Sequence, residues 1–498
     1  MSLDVSLRFA LTGLTASQRG LDVVSRNIAN AETEGYTRKT LTQYNEVING
    51  YNFGVRTGNL GRVLDKALQR ELLTRDSEVG RHSTIESYLI KMDAVQGKPD
   101  SELSVGNLVK QLHNGFVSLL DQPESLTMQR RILDDADTLA RRLNQVGDTI
   151  NTLRNQTQAE IVDLMGEVNH HLSQIHDLNR TLTKATLAGE TAPDLEDKRD
   201  QALRELSKLV DITYFRTGTG EIKINAANGQ PLLDSSYQPL STSTVTINAT
   251  SYYEQGNPAS PIPPILLGGT ADMTPFLTGG RIGGLLELRD EILPTMQAEL
   301  DGLAVTMARR FEDAGLTLFT DSTGTVPAGY VAPPAALAYV GFSSSIRVSA
   351  LVQADPSILR DGDAGQPGGA TYPGYRDQLQ AVVDDVFGVP ASAAFEFPTA
   401  NLGPGPRTLS TRLAADATLA AYATEMVTAN GVLRAESTRQ LDAAEAIRDR
   451  FQEHLSNESG VNVDQEIGLL IQLQRSYSSS ARLITTNREM FAELLQAV

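Results

Sequence analysis

The chain has 498 residues, no cysteine, no tryptophan, 5% aromatic residues and a formal net charge of −18. Without cysteine it has neither a disulfide framework nor a thiolate metal site, and its acidic balance argues against a nucleic-acid partner, whose phosphates need a basic face. It contains no apolar run of the roughly eighteen residues that span a membrane, and its length allows about three or four domains.

At the N-terminus Leu7, Leu14, Leu21 and Ile28 fall at every seventh position, with Leu11 between them. That spacing predicts a helix with one seam turned to a partner helix, the coiled-coil pattern. The opening residues Met1 to Asp4 lack the basic region of a signal peptide, and Arg8 interrupts the short apolar stretch. The chain is therefore expected to stay in the cytoplasm or to leave by a route that reads no cleaved signal. Asn30 to Thr37, with Gly35, reads as a loop, a short strand is expected around Val55, and helices begin near Arg62. No proline occurs from Glu124 to Ala192. There Leu139, Leu143, Val146, Ile150, Leu153, Ile161, Leu164, Val168, Leu172, Ile175 and Leu182 keep a mostly three-and-four spacing. This predicts one very long helix, or two in line with a break near Gly166. Pro193 followed by Asp194, Glu196 and Asp197 opens the next helix, with proline early and acids in the first turn.

Residues 211–278 mix β-branched residues with Gly, Asn, Ser and Pro and predict short strands and turns. Helix returns over Leu285 to Phe311, residues 320–410 again read as strands and loops, and helix resumes from Leu413 to Leu455. A second seven-residue series closes the chain: Val463, Leu470, Tyr477, Ile484, Phe491 and Val498, with Ile467, Ala481 and Leu495 between. The fold class expected is mainly α with β inserts: a coiled coil of the terminal helices, a long helical-bundle core, and outer β-rich domains inserted in the middle. The expected division is a coiled-coil helix over 1–35 pairing with 463–498, a helical core over 36–210, 279–319 and 411–462, and β-rich inserts over 211–278 and 320–410. The second insert is expected to be removable without loss of the helical body, because insertions are tolerated where they leave and rejoin a core at nearby surface points.

No catalytic, cofactor or metal residue is assigned. His170, His171 and His176 lack the spacing of paired ligands on one helix face and read as a solvated helix shoulder. Asp194, Glu196, Asp197 and Asp200 contain the ingredients of a paired-carboxylate site, but acids that match a helix dipole, beside Lys198 and Arg199, account for the same residues. Gly279, Gly280, Gly283 and Gly284 do not have dinucleotide-loop spacing and suggest close packing at a helix entry. Both ends are near neutral while the body is acidic, which suits packing among many copies at the ends and an outward-facing body.

Several stretches carry a family resemblance. They are Gly13-Leu14-Thr15-Ala16, Asn27-Ile28-Ala29-Asn30 and Gly35-Tyr36-Thr37-Arg38 near the start, and Val461 to Glu466, Leu470-Ile471, Gln474 to Tyr477 and Ala481-Arg482 near the end. Together they resemble the bacterial flagellar axial proteins, the rod, hook and hook-associated family. Leu195 to Gln201 and Gly279 to Asp290 are similar to segments of the hook-associated protein 1 branch. The resemblance implies a structural protein without enzymatic activity at the hook–filament junction. It would be exported through the flagellum's own type III channel without a cleaved signal, and would lie outside the cell. The partners it implies are further copies of itself, hook protein, hook-associated protein 3, and a cytoplasmic export chaperone on the C-terminal amphipathic helix. No nucleic acid, membrane or cofactor is expected. The assembly interface is expected at Leu7, Leu11, Leu14, Leu21, Ile28, Val463, Ile467, Leu470, Tyr477, Ala481, Ile484, Phe491 and Leu495, with the terminal segments ordering only on assembly. Alternatives are another axial protein of hook or filament type, or an axial scaffold displaying a carbohydrate-binding, adhesive or enzymatic module in 211–410.

Overall fold

The computed structural model describes residues 3–48, 51–257, 259–328, 339–369, 371–390, 395–405 and 409–496. Val498, the last member of the C-terminal series, lies outside them. In chain order the elements begin with α1 (Leu3–Ala29), β1 (Lys39–Ile48), β2 (Tyr51–Arg62), α2 (Lys66–Gln96), α3 (Val105–Asp121), α4 (Leu126–Leu187) and α5 (Pro193–Leu209). Short strands follow: β3 (Ile212–Arg216), β4 (Ile222–Ala226), β5 (Pro231–Leu233), β6 (Leu240–Ser241), β7 (Leu266–Leu267) and β8 (Ala271–Asp272). Next come α6 (Gly280–Glu287), a π-turn over Leu288–Ile292, α7 (Leu293–Asp313), β9 (Phe319–Thr320) and β10 (Arg347–Val348). The remainder is α8 (Ala350–Ala354), α9 (Ile358–Asp361), α10 (Asp377–Ala381), β11 (Ala400–Leu402), β12 (Leu409–Ser410), α11 (Leu419–Ser459) and α12 (Val463–Gln496). The chain is mainly α with small antiparallel sheets.

It divides into two compact units. One comprises Met1–Val79, Glu167–Pro239 and Ala444–Val498, the other Gly80–Gly166 and Leu240–Ala443.

The long proline-free stretch is one helix, α4, without a break at Gly166. A glycine in a helix interior costs only about 1 kcal/mol relative to alanine. The buried stripe resumes beyond it at Val168, Leu172 and Ile175, so packing overrides that local weakness.

In the unit that begins at Gly80, α7 is buried on nearly every face, as a helix at the centre of a core must be. Phe311 at its C-terminal end meets Phe116, Phe319 and Phe387 with ring centroids 5.6–5.8 Å apart. Gly283 and Gly284 pack as the sequence suggests. A side chain at Gly284 would lie 2.7 Å from the carbonyl oxygen of Arg81, and one at Gly283 would run into the Thr278 carbonyl.

The inserts differ from expectation. Their described strands are two to five residues long, and much of the intervening chain is extended but unpaired with another strand. Side chains of α4 satisfy it instead. Arg154 Nη2 donates to Ser251 O at 2.8 Å and Nη1 to Asn248 O at 3.1 Å, and Asn155 brackets Ile247 through both its N–H and its C=O. Asp301 on α7 accepts from the backbone N–H of Gly341 and of Ser343. Tyr339, Phe342, Val382, Phe397 and Leu402 are buried. The described part of 320–410 is therefore a layer of the core, which corrects the expectation that it could be excised as an outlying insert. The boundary at 239/240 also cuts the first expected insert between the two units.

Glu299 on α7 is buried beside Thr411, which donates to it, and burial pushes its carboxyl up to about 7. Burial raises the fully enclosed Asp301 to about 6, against the donors of Ser343, Gly341 and Gln297, which lower it. An unfolded glutamic acid titrates near about 4.3, so between that pH and 7 the folded chain binds more protons than the unfolded one. Stability from these groups is complete at low pH and declines as pH rises through 6 and 7. Full-length protein in urea should lose on the order of 2 kcal/mol from pH 5 to pH 8, and Glu299→Gln should shrink that loss. An unchanged pH dependence in the variant would refute the assignment.

Candidate assembly site: the terminal helix pair

The two terminal helices lie against one another, antiparallel, within a single chain. Their pairing advances seven residues on each helix without a slip. Ser6 Oγ accepts from Asn487 Nδ2 at 2.7 Å, Gly13 faces Ser480, Gly20 faces Leu473, and Asn27 Nδ2 donates to Glu466 Oε2 at 3.0 Å. Between them Ser17 Oγ donates to Ser476 Oγ at 3.1 Å. A side chain on Gly20 would meet Leu473 at 3.0 Å, so absence of a side chain is what allows this approach.

The line of closest contact is therefore one residue away from the expected seam on α1, and on α12 it lies three residues from the Val463–Leu470–Tyr477–Ile484 row and one from Ile467 and Ala481. Successive residues of a helix are about 100° apart, so a one-residue offset turns a row well away from the contact. Leu7, Leu14, Leu21 and Ile28 are only half-buried and flank the contact, and Leu11 is 47% exposed. On α12, Leu470, Ala481 and Ile484 are half-buried, while Val463, Ile467, Tyr477, Phe491 and Leu495 are exposed. Ala10, Ala16, Ser17, Gly20, Val24 and Asn27 are the buried residues among those described on α1 instead. The terminal segments also pair within one chain, contrary to the expectation that they order only on assembly. The β1–β2 hairpin supplies burial that two isolated helices lack.

That hairpin is far longer than the short strand expected near Val55. Two strands alone are marginal in water, and α1 holds them. Thr12 Oγ1 accepts from Val55 N, Arg19 donates to Thr57 Oγ1 at 2.7 Å, and Asn27 grips Lys39 through both its backbone N–H and C=O.

Asn27 is the centre of a buried polar knot. Its Oδ1 accepts from Lys39 N at 3.0 Å and from the Tyr36 hydroxyl at 2.9 Å, and its Nδ2 donates to Lys39 O and to Glu466. The second Glu466 oxygen accepts from Arg38 Nε at 2.7 Å, and Arg38 N donates to Ser459 O just before α12. Asn27 and Glu466 are each 1% exposed. Burial, then the Asp194 and Asp197 charges, push the Tyr36 phenol up to about 12, so it remains a donor through the neutral range.

A second cluster ties the base of the hairpin to the start of α5. Asp197 accepts from Lys39 Nζ, from Arg62 Nη1 at 3.0 Å, and from Thr37 through its N–H and hydroxyl. Arg62 also reaches Glu196 at 2.9 Å and Asp200 at 2.6 Å. Burial alone would lower the Arg62 guanidinium, but Asp200, Glu196 and Asp197 outweigh it and hold it above its ordinary value. Sequence reasoning saw the acids of this cluster and missed its cations, Lys39 and Arg62, which come from a different part of the chain. It also quoted Asn27, Arg38 and Glu466 as motif letters without placing them together. The signal available was a charge at a seven-residue position, Glu466, in line with Leu473 and Ser480.

His176 lies 6.3 Å from the Tyr237 ring, and among the described residues no group of three or more His, Asp or Glu is placed to hold an ion.

Three family models match the chain: the flagellar hook-associated protein FlgK helical domain over 89–324, the flagellar basal body rod FlgEFG protein C-terminal model over 452–497, and the flagella basal body rod protein model over 7–37. The flagellar hook-associated protein 1 of Bacillus subtilis is 22% identical over 99% of this chain and 98% of its own length. That of Salmonella typhimurium is 26% identical over 61% of this chain and 55% of its own length. A solved structure of the flagellar hook junction protein FlgK from Burkholderia pseudomallei is 23% identical, with a TM-score of 0.42 over 52% of this chain and 46% of that one. With rod-type models on the two paired helices, the chain is a structural axial protein of the bacterial flagellum. The helical-domain match between those ends, and a relative aligned along nearly its whole length, make it similar to the flagellar hook-associated protein 1 family.

Replacing Asp197 by alanine should leave the buried Lys39 ammonium with only Asp194, 3.7 Å away, while Arg62 keeps Glu196 and Asp200, at about 3 kcal/mol. Hydrogen exchange should show hairpin amides opening faster in Asp197→Ala. Combining it with Lys39→Ala should cost less than the sum of the two single changes. Additive losses would show that the two groups do not depend on each other.

Proposed function

We propose that this chain forms the junction between flagellar hook and filament and acts mechanically. Terminal helix pairs of neighbouring copies pack side by side around the inner wall of the tube, and the rest of the chain faces outward. The observation that carries this reading is the apolar surface left open on the pair: Leu11, Ile467, Ile471, Tyr477, Phe491 and Leu495, the last 79% exposed. Each such side chain contributes about 1.5–3 kcal/mol when fully buried. Exposed apolar side chains in this number mark an interaction surface.

The partners in this reading are further copies, hook protein on one side and hook-associated protein 3 on the other. Before export, a cytoplasmic chaperone would cover the same face of α12. The chain would reach the cell exterior through the flagellar export channel without losing a signal peptide. The expected interface residues keep their role here, since a residue displaced from the contact within the chain is free for contact between chains.

Tyr477 is 38% exposed and makes no part of the α1–α12 contact line. Tyr477→Asp should therefore change the stability of the purified chain by less than about 0.5 kcal/mol while abolishing its incorporation at the junction. Removing 463–498 should leave the unit beginning at Gly80 folded and also stop incorporation. Motile cells carrying only the truncated chain would defeat the proposal.

A further inference from the structure

We propose that the buried Asn27–Glu466–Arg38 contact, rather than the apolar repeat, sets the register in which α1 and α12 pair. It thereby decides which apolar side chains the pair offers to the next subunit. The inference concerns one chain and holds whether or not that chain enters a junction.

The apolar rows cannot set the register alone. Leu7, Leu14, Leu21 and Ile28 repeat every seven residues, as do Leu470, Tyr477, Ile484 and Phe491, so sliding one helix past the other by seven restores nearly the same surface. The glycines of the contact line are permissive as well. A slip of seven brings Gly20 opposite Ser480 and Gly13 opposite Asn487, and a glycine accepts either neighbour where no side chain stands.

The inner end of the pair separates the two arrangements most sharply. After the slip Asn27 faces Leu473, and the Glu466 carboxylate, 1% exposed in the native pairing, loses both Asn27 Nδ2 and Arg38 Nε. A buried carboxylate without donors is far costlier than an unmade hydrogen bond at the surface. The Asn487–Ser6 contact at the opposite end is also lost, but there a neutral amide, 6% exposed, gives up one hydrogen bond, whereas Glu466 is a charge that gives up two donors. Arg38 cannot follow the slip, because its N–H is bonded to Ser459 O and its C=O accepts from Val63 N. A single polar position that specifies pairing register at the expense of stability is an established device of coiled coils.

The absence of native cysteine allows a direct test on the full-length chain. Ser17→Cys with Ser476→Cys reports the native register, since their hydroxyl oxygens are 3.1 Å apart. Ser17→Cys with Leu483→Cys reports the register displaced by seven. Under mild oxidation the first pair should crosslink and the second should not. Adding Glu466→Leu should lower the ratio of native to displaced crosslink at least tenfold. Glu466→Gln, whose single amide oxygen can keep only one of the two donors while its NH2 faces the other, should give a ratio between those of the parent and Glu466→Leu. An unchanged ratio in Glu466→Leu overturns the proposal, because the register is then set elsewhere. Loss of both crosslinks in that variant also overturns it, because the contact would then be needed for pairing itself.

Discussion

The close approach of α1 and α12 is the constraint on which the rest of their unit depends. Two helices separated in sequence by most of the chain come together along Gly13, Ser17 and Gly20 on one side and Leu473, Ser476 and Ser480 on the other. Small residues give little apolar area of their own, so the contact gains mainly from proximity. It brings backbones close, lets hydroxyls pair, and leaves the leucine rows on the flanks. The hairpin then closes over α1, and Asn27 serves both partners, holding Lys39 with its amide and Glu466 with the same nitrogen. Without the hairpin the pair would be thin; without the pair the hairpin would have two free edges and little to rest on.

The unit built on α7 solves a different problem. Its irregular segments have no neighbouring strands to satisfy their backbone groups, and buried groups of that kind must be satisfied somewhere. Long polar side chains on the helices provide the partners: Arg154, Asn155 and Gln158 for 243–251, Asn144 and Asp301 for 341–346, and Arg310 for Phe395. Burial holds the Arg154 and Arg310 guanidinium groups down to about 10, a measure of how far this arrangement takes charge from water. Their carbonyl partners offset part of that cost.

Legibility followed from whether the deciding contact was local. The α4 helix could be read from its three-and-four spacing because every buried position answers to the same axis. The break near Gly166 could not be excluded, since the glycine's weakness is local and the packing that overrides it is not. The hairpin was nearly invisible. Thr42, Gln43, Tyr44 and Asn45 are exposed, β2 carries Gly54, Gly58 and Gly61, and what holds it is supplied by Thr12, Arg19 and Asn27. The heptads were plain, but ranking positions by apolarity selects leucines, whereas closest approach selects glycine and serine. The 320–410 stretch looked dispensable because prolines and glycines mark loops; its buried Tyr339, Phe342 and Phe397 become meaningful only once α7 is in place.

The same logic explains why features that look chemical are structural in this chain. The four acids from Asp194 to Asp200 have the composition of a two-carboxylate site, but such a site needs one acid able to hold a proton and another free to reach a substrate. Asp197 is instead occupied by Lys39, Arg62 and Thr37, Asp200 is held by Arg62, and Glu196 is shared by Arg62 and Arg216. Three of the four carboxylates are thus paired with cations from the hairpin or the adjoining strand, while Asp194 stays exposed, 3.7 Å from Lys39, so the cluster fastens segments together.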